Sequence, residues 1–240
     1  MSILRGKGLA KRYGLRDVVR NIHLEVAQGE VVGVLGPNGA GKTTTFYMLA
    51  GIVKPSKGQV LVDEIDITTW PLHKRALYGL SYLPQESSIF RKLTVRQNLE
   101  IILEYSGKTQ AEQKTTADRL LHELGIDKLA DQCAAFLSGG ERRRLEIARA
   151  LIRDPHFILL DEPFAGIDPL AVDDIQEIIK ALCAQGIGVL ISDHNVRETL
   201  HICHRAYLVY DGQIILTGSP HEIVADQRAR AVYLGETFRL

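Results

Sequence analysis

Residues 36–43 read GPNGAGKT, and this stretch decides how the rest of the chain is interpreted. It matches G-x-x-x-x-G-K-[ST], the pattern of a phosphate-binding loop. The apolar run VVGVL precedes it at 31–35, and the helical pattern TTFYMLA follows at 44–50. A buried strand, a glycine-rich loop and a helix in this order are the context that the motif requires. The sequence therefore predicts a phosphate-binding loop at 36–43.

The residue types in this loop suit a polyphosphate ligand. Glycines allow successive main-chain N–H groups to turn inward around phosphate oxygens, and the following helix points its positive end at the same place. Lys42 can reach the β- and γ-phosphates, and the Thr43 hydroxyl can ligate Mg²⁺. We therefore expect a nucleoside triphosphate with Mg²⁺ as the ligand.

Three short apolar runs predict the central strands of a parallel sheet. They are VVGVLG at 31–36, FILL at 157–160 and GVLI at 188–191. Each run lacks polar alternation, as expected of strands that are covered on both faces. Helical patterns lie between them, so the core is predicted to be α/β.

Polar side chains follow these strands where a ligand would lie. Asp161 and Glu162 follow the second run, and His194 follows the third. Gln85 follows a further strand-like segment, LSYLP. Ligands of open parallel sheets bind at the carboxyl ends of the strands. A carboxylate there can hold Mg²⁺, and a second one can orient or deprotonate an attacking water.

Two other regions depart from the α/β pattern. Residues 2–10, 18–27 and 59–64 alternate more and are predicted to form a smaller, mostly antiparallel sheet. From about 87 to 135 strand signals are missing, and Thr94 and Thr109 are expected to cap two helices. We therefore predict an inserted helical subdomain.

The segment LSGGE at 137–141 supports two compatible interpretations. Ser138 and Glu141 can form a capping box for the helix ERRRLEIARALIR, and the same helix start exposes N–H groups to an anion. Asp168 and Pro169 likewise suit the start of another helix. Tyr13 could stack on a base or pack against the fold.

Composition excludes several classes of partner. The chain has 240 residues, with 29 Lys+Arg and 29 Asp+Glu, and this balance argues against duplex DNA or an anionic lipid surface. The run Arg142–Arg144 is interpreted as a solvated helix face. His201, Cys203 and His204 lack the second cluster that a metal site would need. No apolar run approaches the ~20 residues of a membrane span, so any role at a membrane must involve a partner.

Taken in order, these motifs resemble the ATP-binding cassette (ABC) family along essentially the whole chain. The resemblance implies a P-loop NTPase core of the RecA-like type, an N-terminal antiparallel β subdomain and an inserted α-helical subdomain. It divides one cassette, 1–240, into a core of 1–86 and 136–225, a helical subdomain of 87–135 and a tail of 226–240. Two departures are AGID at 165–168, where SALD is common, and Glu141, where glutamine is commoner.

The resemblance also implies a role for each site residue. The catalytic residues would be Glu162, His194, Gln85 and Lys42. The residues holding Mg²⁺ would be Thr43, Gln85 and Asp161. The residues binding ATP would be Tyr13, Gly36, Pro37, Asn38, Gly39, Ala40, Gly41, Lys42, Thr43, Thr44, Ser138, Gly139 and Gly140.

The family's architecture implies the partners. Two cassettes would sandwich two ATP molecules head to tail as a homodimer, in which Ser138 and Gly140 reach the partner's γ-phosphate. Transmembrane permease subunits would dock in a groove at Phe90 and Arg91, and the chain would lie on the cytoplasmic face of the inner membrane.

Within the family, three alternatives follow from the sequence. The segments YLPQESSIFRKLTVRQNL at 82–99 and VYLGETFRL at 232–240 resemble the cassettes of bacterial lipopolysaccharide exporters. Cassettes of branched-chain amino-acid importers are the nearest rivals. Soluble cassette ATPases of DNA repair or translation are a different class, usually with two cassettes, long coiled coils or basic extensions.

Overall fold

Two β-sheets organise the computed structural model, which describes residues 1–240. The strands are β1 (Ile3–Tyr13), β2 (Arg16–Ala27), β3 (Val31–Leu35), β4 (Lys57–Val62), β5 (Ile65–Asp66), β6 (Leu80–Leu83), β7 (Phe157–Asp161), β8 (Gly188–Ser192), β9 (Arg205–Tyr210) and β10 (Gln213–Gly218). The helices are α1 (Lys42–Ala50), α2 (Leu72–Leu77), α3 (Val95–Leu103), α4 (Gln110–Glu123), α5 (Gly139–Leu151), α6 (Pro169–Ala184), α7 (Val196–Ile202), α8 (Pro220–Ala225) and α9 (Gln227–Ala229).

The core sheet has six strands in the order β10-β9-β3-β8-β7-β6. All pairs are parallel except β9–β10, which is a hairpin. Every residue of β3, β7 and β8 is buried. The three predicted central strands are confirmed, because a strand that is covered on both faces has no solvent side on which to place polar residues.

The second sheet is antiparallel, in the order β2-β1-β4-β5, and this prediction is also confirmed. Strand β1 runs on to Tyr13, beyond the predicted end at residue 10. Its pairing with β2 shifts register three times between Gly6 and Arg12. Such bulges bend a strand without ending it, so the local glycines mark irregularities rather than boundaries.

The helical segment contains α3 and α4, which begin where the capping residues predicted them. Thr94 and Gln97 form a capping box on α3, and Thr109 and Glu112 form one on α4. Both helices contact α5, and their leucines join the same apolar core. Residues 87–135 form no extended sheet, apart from one isolated bridge between Thr94 and Cys133. The exact subdomain boundaries stay a prediction.

The last residues pack on the end of the core sheet. After α9, a π-helical turn covers Arg230–Leu234. Apolar tail side chains pack on a cluster that includes Leu35 and Leu208, and the Arg197 guanidinium donates to the carbonyl oxygen of Arg239 at 3.0 Å. None of the helices combines the length and apolar character needed to cross a membrane.

A fully buried arginine supports the helix that follows the phosphate-binding loop. Arg75 is 1% exposed and forms no ion pair. Its Nη1 donates to the carbonyl oxygens of Met48 (2.8 Å) and Leu49 (2.5 Å) near the end of α1, while Nε and Nη2 donate to those of Trp70 and Thr68. Burial lowers the pKa of the guanidinium to about 10, so it stays charged at neutral pH. The cation also complements the negative end of the helix dipole.

Replacing Arg75 with methionine should lower the free energy of unfolding by roughly 2–4 kcal/mol, because four carbonyl groups, two of them in buried contacts, lose the guanidinium donor. Chemical denaturation of the nucleotide-free protein measures this loss. Arg119→Met is the control: Arg119 forms an exposed i,i+4 pair with Glu123, so its loss should cost about 0.5 kcal/mol or less. Equal effects of both substitutions would contradict the capping role of Arg75.

Candidate active site

The phosphate-binding loop lies between the carboxyl end of β3 and the start of α1. Gly36, Gly39 and Gly41 have positive φ angles of 148°, 79° and 104°. A Cβ atom at Gly36 would lie 2.1 Å from the carbonyl oxygen of Val209, and one at Gly41 would lie 2.8 Å from that of Val18. Glycine is therefore required at both positions for conformation and for space.

The loop presents unpaired main-chain donors. Between residues 38 and 44, the N–H groups of six residues have no acceptor within the protein: Asn38, Gly39, Gly41, Lys42, Thr43 and Thr44. In contrast, the N–H of Ala40 donates to the carbonyl oxygen of Pro37 at 3.2 Å, and that of Thr45 donates to Gly41 at 2.9 Å. Consecutive free donors at a helix start form a concave site for an anion. The predicted loop thus has the donors that phosphate oxygens need.

Lys42 lies folded over the same loop. Its Nζ donates to the carbonyl oxygens of Gly36 (2.6 Å) and Pro37 (3.0 Å). Burial lowers the pKa of the ammonium, while the carboxylates of Glu162, Asp161 and Asp193 oppose this shift. The Lys42 ammonium therefore lies close enough to the carboxylates at the ends of β7 and β8 for their charges to interact.

Asp161 ends strand β7 and is 1% exposed. Its Oδ2 accepts a hydrogen bond from the hydroxyl of Tyr82 at 3.3 Å, while Oδ1 has no partner. Burial, followed by the nearby Glu162, raises the pKa of the carboxyl to about 6. A buried, unpaired carboxylate oxygen suits a hard divalent cation, as does the hydroxyl of Thr43 at the helix start. The residues present therefore fit Mg²⁺.

Glu162 follows in a strained backbone conformation. Its φ angle is 49°, which non-glycine residues seldom adopt, and its N–H donates to the carbonyl oxygen of Ser192 at 2.6 Å. The side chain is directed at two other predicted residues. Oε2 accepts from Nε2 of Gln85 at 2.7 Å and lies 3.3 Å from Nδ1 of His194. This trio of side chains can hold a water molecule near a carboxylate base.

Asp193 fixes the loop that carries His194. It is fully buried and accepts hydrogen bonds from the N–H groups of Phe164 (2.9 Å) and Asn195 (2.7 Å). Burial raises the pKa of its carboxyl. Because Phe164 follows β7 and Asn195 follows β8, Asp193 ties the two strand ends together. His194 itself stays half exposed beside Glu162.

The predicted ATP-binding residues outside the loop lie on other elements. Tyr13 is half exposed at the end of β1, with the Lys11 ammonium 5.2 Å from its ring centre. Ser138 caps α5 through a capping box with Glu141. A Cβ atom at Gly139 would lie 2.9 Å from the carbonyl oxygen of Gly166. Within this one chain, the segment 138–140 therefore packs beside residues 166–167 rather than on the phosphate-binding loop.

A cavity of about 330 Å³ joins Gln85 and Glu162 to Arg91 of the predicted partner groove. Gln85, Arg91, Gly139 and Glu162 are among its lining residues. Phe90, 44% exposed, lies on the same segment with its ring 5.0 Å from the Arg149 guanidinium. Arg91 and Glu162 therefore line the same cavity, and Phe90 is next to Arg91 in the sequence.

The side chain of Asn98 on α3 holds the main chain of Phe90 in place. This side chain is fully buried. Oδ1 accepts from the N–H of Phe90 at 2.8 Å, and Nδ2 donates to the carbonyl oxygens of Phe90 (3.1 Å) and Thr94 (3.0 Å). Both main-chain polar groups of Phe90, the N–H and the C=O, are therefore hydrogen-bonded to α3 of the helical segment.

The interpretation of Arg142–Arg144 as a solvated face is wrong for Arg143. This side chain is buried, pairs with Glu146 at 2.9 Å, and donates to the carbonyl oxygens of Pro84 (3.3 Å) and Asp161 (3.5 Å). A charge run could not indicate that α5 turns this one position toward the ends of β6 and β7.

Sequence reasoning missed four polar residues near the site: Asn98, Arg143 and Glu146, which are buried, and Tyr82, which is partly buried. Tyr82 follows Leu80 by two positions on β6, so it lies on the same face of the sheet and packs against the same apolar cluster. An aromatic residue at such a position is ordinary in a strand, so nothing local indicated its hydrogen bond to Asp161. The pairing of Glu146 with Arg143 depends on how α5 docks. It has no signal beyond an ordinary i,i+3 spacing.

Comparison with known families gives two matches. The family described as "ABC transporter" matches residues 19–165. The family described as "Branched-chain amino acid ATP-binding cassette transporter" matches residues 213–239. The first match contains the phosphate-binding loop, the segment LSGGE and the carboxylates at 161–162. It therefore covers the site described above except for Tyr13, Asp193 and His194.

Curated relatives align along the whole chain. The "Lipopolysaccharide export system ATP-binding protein LptB" of Escherichia coli (strain K12) is 55% identical over 241 residues, covering all of both chains. The protein of the same description from Haemophilus influenzae is 54% identical, again over all of both chains. An uncharacterized ABC transporter ATP-binding protein of Rhizobium meliloti is 50% identical, over 99% of this chain and 88% of that one.

Solved structures share the fold. MJ1267, an ATP-binding cassette of an ABC transporter, superposes with a TM-score of 0.90 at 30% identity, over 98% of this chain and all of that one. The dimeric post-hydrolysis structure of the cassette MJ0796, bound to ADP and Pi, superposes with a TM-score of 0.79 at 25% identity, over 90% and 98% of the two chains. Because the family match spans more than half of the chain and relatives align along all of it, this chain belongs to the ABC transporter family as an ATP-binding subunit, an ATPase coupled to transport.

Proposed function

We propose that this chain hydrolyses Mg²⁺-ATP as one half of a homodimer and thereby drives lipopolysaccharide export through separate permease subunits. The observation that best supports ATP hydrolysis is that the side chains of Gln85 and His194 both lie against the Glu162 carboxylate, beside the phosphate-binding loop. These side chains come from the ends of three different core strands, β6, β7 and β8. Such convergence is what a hydrolytic site at the carboxyl edge of a parallel sheet requires.

The residues divide the chemistry between them. The free N–H groups of the loop bind β- and γ-phosphate oxygens, and Lys42 exchanges its carbonyl acceptors for phosphate. Glu162 orients the attacking water and takes its proton, while His194 and Gln85 hold that carboxylate in place. Asp161, Thr43 and Gln85 would hold Mg²⁺, which neutralises charge on the transferred phosphoryl group. Tyr13 stacks on the adenine.

The dimer completes the site from a second copy. In one chain Ser138, Gly139 and Gly140 lie at the start of the 13-residue helix α5, away from that chain's own loop. A helix start is a suitable anion site, so this segment can contact the γ-phosphate of ATP bound to the partner. The related cassette MJ0796 has been solved as a dimer bound to ADP and Pi, which supports a dimer as the working unit.

Full-length similarity favours lipopolysaccharide export over other cargoes. The relatives described as lipopolysaccharide export proteins match all of the chain at 54–55% identity. The match to the branched-chain amino-acid family is confined to residues 213–239, which supports amino-acid import as a second candidate. In either case the chain would act on the cytoplasmic face of the inner membrane, through permease subunits that dock at Phe90 and Arg91.

Replacing Glu162 with glutamine should leave ATP binding intact and slow hydrolysis at least ~100-fold, because the amide cannot accept the proton of the attacking water. Light scattering with Mg²⁺-ATP should then detect a trapped dimer. Omitting Mg²⁺ is the control, and it should prevent both hydrolysis in the wild type and trapping in the variant. A variant that stays monomeric with bound ATP would contradict the sandwich dimer.

Replacing Lys42 with alanine should weaken ATP binding itself, by roughly 10-fold or more, because a charge-assisted contact to phosphate is lost. Titration calorimetry with ATP measures the change. Lys114→Ala offers a matched control, since Lys114 is exposed on α4, which packs on α3 and α5 in the helical segment. Unchanged affinity in Lys42→Ala would mean that the phosphates bind elsewhere.

The cargo assignment can be tested in cells. The gene should restore growth to an Escherichia coli strain depleted of its own LptB, and the purified complex should contain the lipopolysaccharide-export permeases. Glu162→Gln should co-purify with the same permeases without restoring growth. Co-purification with amino-acid permeases would replace the cargo but keep the ATPase. Recovery without any permease would contradict the transport role.

The docking groove generates its own prediction. Arg91→Glu should abolish co-purification with the permeases while ATP hydrolysis by the isolated chain stays within about twofold, because an exposed charge reversal disrupts an interface and not the fold. Arg153→Glu is the matched control, since Arg153 does not line the Gln85 cavity. Normal assembly of the Arg91 variant would remove this residue from the groove.

A further inference from the structure

The turn between β9 and β10 touches the phosphate-binding loop directly. Asp211 and Gly212 have φ angles of 46° and 74°, and Tyr210 pairs with Gln213. Two positive φ angles in a two-residue connection are the mark of a type I′ hairpin turn, which suits the sequence Asp-Gly. The Gly212 N–H donates to the carbonyl oxygen of Ala40 at 3.0 Å. A turn remote in sequence therefore supplies a donor to the middle of the loop.

This hydrogen bond fixes the orientation of one peptide unit. The carbonyl of Ala40 and the N–H of Gly41 belong to the same planar, trans peptide, so they point in opposite directions. Gly212 holds the carbonyl on the outer side of the loop. The Gly41 N–H, which has no acceptor in the protein, is thereby directed away from Gly212 and into the loop.

The turn is itself anchored to β2. The carbonyl oxygen of Gly212 accepts from the N–H of Arg20 at 2.9 Å, and the Arg20 guanidinium pairs with the Asp211 carboxylate at 2.9 Å. Gly212 thus connects the antiparallel sheet to the phosphate-binding loop: its C=O accepts from β2, and its N–H donates to the loop.

Steric contacts make the junction tight. A Cβ atom at Gly212 would lie 2.7 Å from the carbonyl oxygen of Val18, and one at Gly41 would lie 2.8 Å from the same oxygen. The two glycines therefore enclose one carbonyl of β2. Any side chain at Gly212 must push apart the strand, the turn and the loop.

We propose that Gly212 is a positioning residue for nucleotide binding, which orients the Ala40–Gly41 peptide so that its N–H meets a phosphate oxygen. This inference rests on the proposed function, since it assumes that phosphate occupies the loop. The N–H contact forms in the ground state and is kept during hydrolysis. Its loss should therefore raise KM and leave kcat nearly unchanged.

The sharpest test removes the N–H alone. Cys203 allows a synthetic peptide of residues 203–240 to be joined to a fragment of residues 1–202, with glycolic acid in place of Gly212. The resulting ester deletes one donor and adds no Cβ atom. We expect the KM for ATP to rise about tenfold, the effect of one phosphate-binding donor, with kcat within about twofold of a semisynthetic control that keeps the amide.

A pair of conventional variants gives an independent measurement. Gly212→Ala and Gly186→Ala both place alanine in a left-handed conformation, but Gly186 has φ 88°, and a Cβ atom added there would meet no other atom within 4 Å. Both should therefore carry the same backbone strain. Only Gly212→Ala should raise KM, by about tenfold or more.

The outcomes separate the positioning role from the proposed function. A KM within twofold of the control in the ester protein, or equal KM values in the two alanine variants, would overturn the positioning role. A fall in kcat at constant KM would also contradict it. Absence of ATP hydrolysis in the recombinant wild type would instead contradict the proposed function, because that protein retains Gly212.

Discussion

The phosphate-binding loop must keep a row of main-chain donors free, and much of the surrounding structure satisfies that constraint. Unpaired N–H groups are costly unless a ligand or water completes them. Several carbonyl groups of the loop are bound by other donors, namely the Lys42 ammonium and the Gly212 N–H, and the free N–H groups are left for a ligand. Gly36 lies so close to Val209 that no other residue would fit. The site is thus supported by β9 and its turn as well as by β3 and α1.

The same edge of the sheet concentrates negative charge opposite these donors. Asp161 and Glu162 lie at the end of β7, Asp193 follows the adjacent strand β8, and all three carboxylates raise the pKa of the Lys42 ammonium against the effect of burial. Burial raises the pKa of Asp161 and Asp193, so their charges are maintained at an energetic cost. Strain at Glu162 adds to that cost. The buried carboxylates are stabilised most when a cation binds beside them, and that cation in turn favours the binding of a polyphosphate.

How much the sequence could predict follows from the range of each interaction. The loop at 36–43, the strand runs and the capping boxes at Thr94, Thr109 and Ser138 are local, so residue types a few positions apart were sufficient. The trio at Glu162 was predicted by strand topology, because polar residues after parallel strands meet at one edge. Contacts between elements that are distant in the sequence were not predicted: the buried Arg143, the four carbonyl acceptors of Arg75 and the contact of the Gly212 turn with the loop.

These unpredicted contacts share a chemical character that explains their importance. In each case a side-chain or main-chain donor from one element satisfies carbonyl groups of another: Arg75 on α1, Arg143 on the ends of β6 and β7, and Gly212 on the loop. Apolar packing alone would permit small sliding movements between elements, whereas hydrogen bonds to fixed carbonyl groups set direction as well as distance. Because phosphoryl transfer depends on positioning and electrostatic stabilisation, such contacts between elements bear directly on catalysis. The motif residues supply the chemistry, and the long-range donors determine whether that chemistry is aligned.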